Sequence, residues 1–327
     1  MITFTIGLGG NQIIFNDFEK YKYFYHIKAY FLEKKKYCYC TFRYDDKEIN
    51  DYEKISNYND KIITVIKINI YYYKLKDWIN EDKIIWDNLS SNPKAIHLLE
   101  KRLNKINWKW LSINPNAIHL LEKYPYKIYW PHLSRNVNAM HLLEKNLKEI
   151  DWYWLSSNPN AINILEKNMK TTFSYQLSKN PNAIHLLEKY PNKIDWYWLS
   201  LNPNAIHILE KNQNKINWHY LSENPNAIQL LESNLSKIYW GYLSKNHNAI
   251  NLLEKNLNKI DWSQLSENSN AIHILEQNLN KIDWDWLSIN PSAVHILEKN
   301  QNKIDWYRLS LNPSIFELDY EFYNNKK

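Results

Sequence analysis

The sequence predicts a mostly α-helical protein: a right-handed α-solenoid of eleven 22-residue, two-helix repeats, preceded by a small α+β N-terminal domain. Three observations lead there. Ten of the fifteen tryptophans (Trp86, Trp108, Trp130, Trp152, Trp196, Trp218, Trp240, Trp262, Trp284 and Trp306) stand 22 residues apart, except for one gap of 44 where Ser174 takes the place beside Phe173. A leucine follows three positions later in every repeat without slippage, from Leu89 to Leu309. Within each repeat, apolar residues fall at helical spacing in two short stretches separated by cap and turn residues.

Residues 1–82 do not repeat and read as a small α+β domain covering the first repeat. Ile2–Ile6 alternates like a strand, Gly7–Asn11 turns, and Gln12–Phe15 is placed as its hairpin partner. Asp17–Lys34 is placed as an aromatic-rich helix, with further strands at Tyr37–Phe42 and Ile62–Tyr73. The array occupies residues 83–313. In each repeat the first helix opens on Asp or Asn (Asp151, Asp195, Asn217, Asp261), whose side chain can accept from free backbone N–H groups. It carries Trp152 and Leu155 three apart on one face. The second helix is placed from Asn158-Pro159 onward, with Asn as cap and Pro at the first helical position, where a missing N–H costs nothing. Ala161, Ile162, Ile164 and Leu165 form its apolar stripe. Asn168 is expected to end it in the left-handed conformation. Residues 314–327 break the consensus with acidic residues and read as a polar terminal cap and tail.

Helices this short do not stand alone; they must stack, which makes an α-solenoid. A leucine-rich repeat shares the period, but aligning Leu155 and Asn158 to its consensus puts Tyr153 and Asn160 where apolar residues are required. At helix spacings of about 8–10 Å, eleven repeats would form a rod or arc on the order of 100 Å long.

Composition narrows the function. The chain has 46 Asn, 25 Tyr, 4 Gly and only 2 Cys, and Lys exceeds Arg 37 to 4. The Asn, Ile, Lys and Tyr excess resembles AT-biased coding. No stretch approaches the roughly 20 apolar residues of a membrane span, and no basic segment followed by an apolar one opens the chain, so an intracellular, soluble setting is expected. Gly7-Leu8-Gly9-Gly10 follows a strand, but a dinucleotide fingerprint needs glycine where Gln12 stands. Cys38 and Cys40 lack the second pair of ligands that a zinc site requires. Many Ser, His and Asp residues occur only as copies of repeat positions, the opposite of a unique active site. No catalytic residues, cofactor or metal are expected.

Two ladders remain. Two positions after the repeat Trp stand Trp110, Trp154, Trp198, Tyr242 and Trp286, spaced by 44, with Asn88, His132, Gln176, Tyr220, Gln264 and Arg308 between them. This position lies about 200° from the repeat Trp around a helix, away from the core. It is either a partner-binding face or a packing relic of a 44-residue duplication. A second ladder, His97, His119, His141, His185, His207, His273 and His295, is replaced by Asn163, Gln229 and Asn251 elsewhere, which favours inter-repeat hydrogen bonding over a pH-responsive or metal-binding face. The repeated Glu and Lys (Glu166, Lys167) read as a solvated face. Net charge is only +6 and the arginines are scattered, whereas a phosphate-tracking groove wants a concentrated basic stripe. Aromatic rungs two repeats apart would also stand roughly 20 Å from each other, too far for adjacent bases.

The unit W-x-x-L-S-x-N-P-N-A-I-H-L-L-E-K-N, as in residues 196–212, resembles repeat proteins of giant nucleocytoplasmic DNA viruses. The resemblance covers residues 84–313 and implies a viral protein in host cytoplasm or a virus factory; it brings no activity and no functional residues. The expected function is a non-enzymatic, monomeric protein–protein interaction scaffold whose variable exposed positions select a protein partner. The alternatives are a nucleic-acid-binding repeat protein and an adaptor whose N-terminal domain recruits host machinery.

Overall fold

In the computed structural model the described residues are Tyr73–Asp319 and five strands nearer the N-terminus. The chain divides into two compact units, Met1–Tyr72 with Leu318–Lys327, and Tyr73–Glu317. In the first unit, β1 (Ile2–Ile6) and β2 (Asn11–Phe15) pair antiparallel as the expected hairpin. β3 (Cys40–Tyr44), β4 (Lys47–Ile49) and β5 (Ile62–Lys67) complete a five-stranded sheet of order β2-β1-β5-β3-β4, with β1 and β5 parallel. The return of the chain from β1 into an antiparallel strand removes the strand-to-helix turn that dinucleotide binding would need. The turn at residues 7–10, the helix expected at 17–34 and Cys38 lie outside the described residues.

The second unit is mostly helical, built of periodic helix pairs. In one repeat the first helix is Trp218–Glu223, the second is Ile228–Glu232, and a 3-10 turn, Leu235–Lys237, leads into the next repeat. The Asp and Asn caps act as expected: the Asp151 carboxylate accepts from Trp154 N–H at 3.2 Å, and Asn217 accepts from Tyr220 N–H at 3.2 Å. The leucine of the first helix, the last leucine of the second and the alanine before the second are buried, as in Leu221, Ala227 and Leu231 at 0% exposure. That layer between first and second helices is the core.

The structure refines one expectation about the asparagines and corrects another. At Asn180 and Asn202 the asparagine caps and the proline opens a 3-10 turn that runs straight into the second α-helix, as expected, whereas at Asn158 and Asn224 the Asn-Pro step is a separate turn and the helix starts at Ile162 or Ile228. Asn168, placed as a left-handed stop, has φ −128° and ψ 38°; instead its side-chain amide donates to the Ile164 carbonyl four residues back, at 2.8 Å. The extended step between the helices does not depend on proline. Asn136, Asn246 and Asn268 precede Val137, His247 and Ser269, yet hold φ −70° to −75° and ψ 109° to 118°, like Asn224 before Pro225. The asparagine side chain sets that conformation.

It does so because it is the joint between repeats. Asn202, 1% exposed, donates through one amide nitrogen to the Ser178 and Asn180 carbonyls of the preceding repeat, at 2.9 and 3.0 Å, while its oxygen accepts from Asn204 N–H. Two residues on, Asn204 donates to the Pro181 carbonyl. The buried serine completes the set: Ser200 donates to the Trp196 carbonyl and accepts from Asn217 N–H of the next repeat. Each lateral interface is therefore a fully paired polar ladder beside a leucine core, the condition under which buried polar groups stabilise a fold.

The array closes on itself. Asn92, in the first repeat, donates to the carbonyls of Ser310 and Asn312, in the last. Ile85 N–H donates to Ser310 Oγ at 2.9 Å, as Asn107 N–H donates to Ser90 Oγ. Lys83 sits 5.2 Å over the Trp306 ring, the relation Lys303 bears to Trp284 at 4.4 Å. The residue steps match those of every interior joint, so the predicted arc continues until its ends meet. The lateral edge of the first repeat is accordingly paired with the last. Among the described residues after Pro313, Ile315 and Phe316 are buried, and β7 (Phe316–Leu318) pairs with β6 (Tyr73–Leu75), strapping the two ends of the array together.

Candidate interaction surface

Adjacent first helices pack directly on one another around much of the ring, whereas the second helices make their principal contacts within their own repeat. In a closed ring the elements that crowd each other lie at the smaller radius, so the first helices line the inner side. Their residues one, two and five positions after the repeat Trp point away from the leucine core, and these are the positions that vary most.

The structure places the aromatic ladder on this surface. Trp110 and Tyr242 are exposed, at 38% and 37%, and Trp154, Trp198 and Trp286 are half-buried. The rungs are not isolated at 20 Å, because side chains from the intervening repeats fill the gaps. Tyr153 and Tyr175 stack in parallel with centroids 6.0 Å apart, Tyr175 meets Trp198 edge-on at 4.5 Å, and Tyr220 bridges Trp198 and Tyr242 at 4.7 and 5.7 Å. Trp110 packs on His132 at 5.0 Å, and burial lowers the His132 pKa while its ring donates to the Lys109 carbonyl. Trp286 stands apart from this chain of rings, capped by Arg308 at 4.5 Å. Two ladder positions are closed to partners: Gln176 is buried, and Asn88 is buried and donates to the Tyr307 carbonyl across the closing joint.

Sequence reasoning missed Arg135 and Lys179, five positions after the repeat Trp130 and after its equivalent Ser174. Arg135 lies 5.4 Å over the Trp154 ring; Lys179 lies 4.5 Å over Trp198 and 5.4 Å over Tyr175. Burial, with the Arg135 charge second, lowers the Lys179 pKa. Neither cation forms an ion pair with a carboxylate among the described residues. Their signal in the sequence was variability at that position, which says nothing of sign or neighbours.

The repeat tryptophans have a different task. They are half-buried platforms, and from Trp196 to Trp284 each is crossed by the lysine that ends its own repeat, as Lys215 over Trp196 and Lys259 over Trp240, both at 4.5 Å. The histidine ladder runs along the second helices. His119 meets Glu100 of the preceding repeat at 2.8 Å, and the pairs His141–Glu122, His207–Glu188, His273–Glu254 and His295–Glu276 repeat that geometry. The hydrogen bond from His119 holds the Glu100 carboxyl below its ordinary pKa. His97, at the closing joint, faces Glu100 of its own helix at 3.8 Å instead. His185 is exposed on the same face.

One further cluster departs from the consensus. Glu223, Lys245 and Glu267, from three consecutive repeats, line a cavity of about 320 Å³ with His247 and Ser269. Burial raises the Glu223 pKa, and Lys245 reaches Glu267 at 3.3 Å. A row of exposed leucines (Leu235 at 56%, Leu257 at 48%, Leu279 at 47%) heads the 3-10 turns of three consecutive repeats. No group of three or more His, Cys, Asp or Glu side chains able to hold a metal occurs among the described residues. No helix there is long and apolar enough to cross a membrane. No known protein family, characterised protein or solved structure matches the chain.

Proposed function

We propose that the protein is a non-enzymatic interaction scaffold, an eleven-repeat, right-handed closed array that binds a protein partner through the first-helix positions of the ring. The observation that carries this reading is a variable aromatic belt mounted on a uniform frame. Leucine, serine and asparagine recur at every joint, while exposed residues change from repeat to repeat. Exposed Trp, Tyr and Arg on a rigid support have the composition of binding hot spots. Closure adds rigidity, since no end can fray, and a preorganised surface forfeits less entropy on binding. The resemblance of the repeat to giant-virus proteins supports a viral origin and a place in host cytoplasm or a virus factory, acting as a monomeric ring.

The test replaces Trp110, Trp154 and Trp198 together by Ala in the full chain. Capture of partners from host-cell lysate should fall at least tenfold, while far-ultraviolet circular dichroism shows helical content retained. Undiminished capture would move the binding face elsewhere, with the row Leu235, Leu257 and Leu279 as the next surface to alter. The nucleic-acid reading predicts retardation of single- or double-stranded DNA or RNA at low salt, weakening steeply as salt rises.

A further inference from the structure

The belt is polarised in charge. From the repeat of Trp110 to that of Trp198, the positions one, two and five after the repeat Trp hold the cations Lys109, Arg135 and Lys179 and no carboxylate. The other six repeats carry Glu223, Glu267, Asp285 and Asp87 against Lys245 and Arg308. Three acidic groups border the basic arc: Asp151 and Asp195 accept from backbone N–H groups at helix starts, and Glu223, near enough to act on Lys179, is buried enough that its pKa is raised. Arg135, exposed, and Lys179, half-buried, are thus held on aromatic rings with no carboxylate in ion-pair contact, which is an incomplete site for anions.

We propose that this arc binds an acidic, proline-rich peptide segment in polyproline II conformation, with carboxylates six residues apart meeting Arg135 and Lys179. The proposal rests on the reading of the ring as a protein-binding scaffold and names the chemistry of the partner. Three features select a peptide over a nucleic acid. Base stacking needs a free ring face, but Trp154 is covered by Arg135, and Trp198 is enclosed by Lys179, Tyr175 and Tyr220. What the rings still offer is a ridged apolar surface with tyrosine hydroxyls, the type of groove that receives proline-rich segments. The period also fits. A polyproline II helix advances about 9 Å per three-residue turn, close to the 8–10 Å or so between packed helices. Every third peptide residue would therefore meet the equivalent position of the next repeat. Arg135 and Lys179 lie two repeats apart, hence six peptide residues, and about twelve residues span the arc from Trp110 to Trp198.

The experiment is fluorescence anisotropy on the full chain, titrated to about 1 mM at low salt. The labelled probes are (Glu-Pro-Pro)4, the flexible (Glu-Gly-Ser)4 of equal charge, (Lys-Pro-Pro)4 and a five-residue oligothymidylate of the same net charge. The expected result is binding of (Glu-Pro-Pro)4, at least tenfold weaker binding of (Glu-Gly-Ser)4, and none of the other two. Arg135→Gln with Lys179→Gln should weaken the first at least tenfold with circular dichroism unchanged. Equal binding of the flexible acidic peptide, indifference to the double substitution, or oligothymidylate binding as tight as the peptide overturns the proposal. If no peptide binds while lysate capture still depends on Trp110, Trp154 and Trp198, the peptide chemistry is refuted and the scaffold reading stands. If that capture fails as well, both are refuted.

Discussion

Closure of the ring makes a quantitative demand on the asparagine joints. In Asn202→Ala, two amide bonds to the preceding repeat are lost, together with the bond from Asn204 N–H. The Asn180 carbonyl keeps its bond from Ala183 N–H, but the Ser178 carbonyl loses its amide partner in a buried joint. At about 1 kcal/mol per bond, with the larger cost falling on the buried carbonyl, the loss is about 3 kcal/mol. Asn92→Ala removes the corresponding three bonds at the closing joint, to Ser310, Asn312 and Lys94, from a side chain equally buried at 1% exposure. A closed ring therefore predicts nearly the same cost at both positions. In an open array Asn92 would face an unoccupied edge, and only its local bond to Lys94 N–H would be lost, about 1 kcal/mol. Urea denaturation followed by tryptophan fluorescence separates the cases. With a slope of about 3 kcal/mol per molar, both midpoints should fall by about 1 M. An Asn92→Ala shift less than half that of Asn202→Ala would refute closure.

Two further outcomes follow from the same contacts. Ser200→Ala strips the hydroxyl that accepts from Asn217 N–H across a joint, and should cost about 1–3 kcal/mol; Ser157→Ala, whose hydroxyl only donates to the Trp154 carbonyl on a half-buried surface, should cost under about 1 kcal/mol in the same denaturation assay. Because its folded pKa is lowered, Glu100 contributes stability that is fully present above the ordinary carboxyl value of 4.5 and is lost as pH falls through the lowered folded value. Glu100→Gln should flatten that part of the stability–pH profile, and an unchanged acid limb would show that the His119 pair does not couple to folding.

How far the sequence could be read depended on whether a residue's role was local. Trp152, Leu155, Asp151 and the stripe from Ala161 to Leu165 act within one or two turns of their own backbone, so spacing and cap chemistry revealed the helix pairs. Asn158 was legible as a turn residue and not as a joint, because its two amide bonds reach the carbonyls of Ser134 and Asn136 in another repeat. Asn168 was misread for the opposite reason: a bond to its own fourth-preceding carbonyl satisfies the helix end without the left-handed backbone that asparagine also permits. The aromatic ladder was visible as a period, but its continuity through Tyr153, Tyr175 and Tyr220 depended on how closely first helices approach.

By itself the sequence determined the repeat, its register, its helical character and the identity of its variable positions, since all of these follow from periodicity along one chain. Only the tertiary structure decided that the array closes, that its ends are strapped by Tyr73–Leu75 and Phe316–Leu318, and that Arg135 and Lys179 stand unpaired on the belt. The physical reason is that closure depends on the small rotation accumulated from one repeat to the next. A few degrees at each joint separate an open superhelix from a ring, and that angle is set by the packing of leucine, serine and asparagine across the interface.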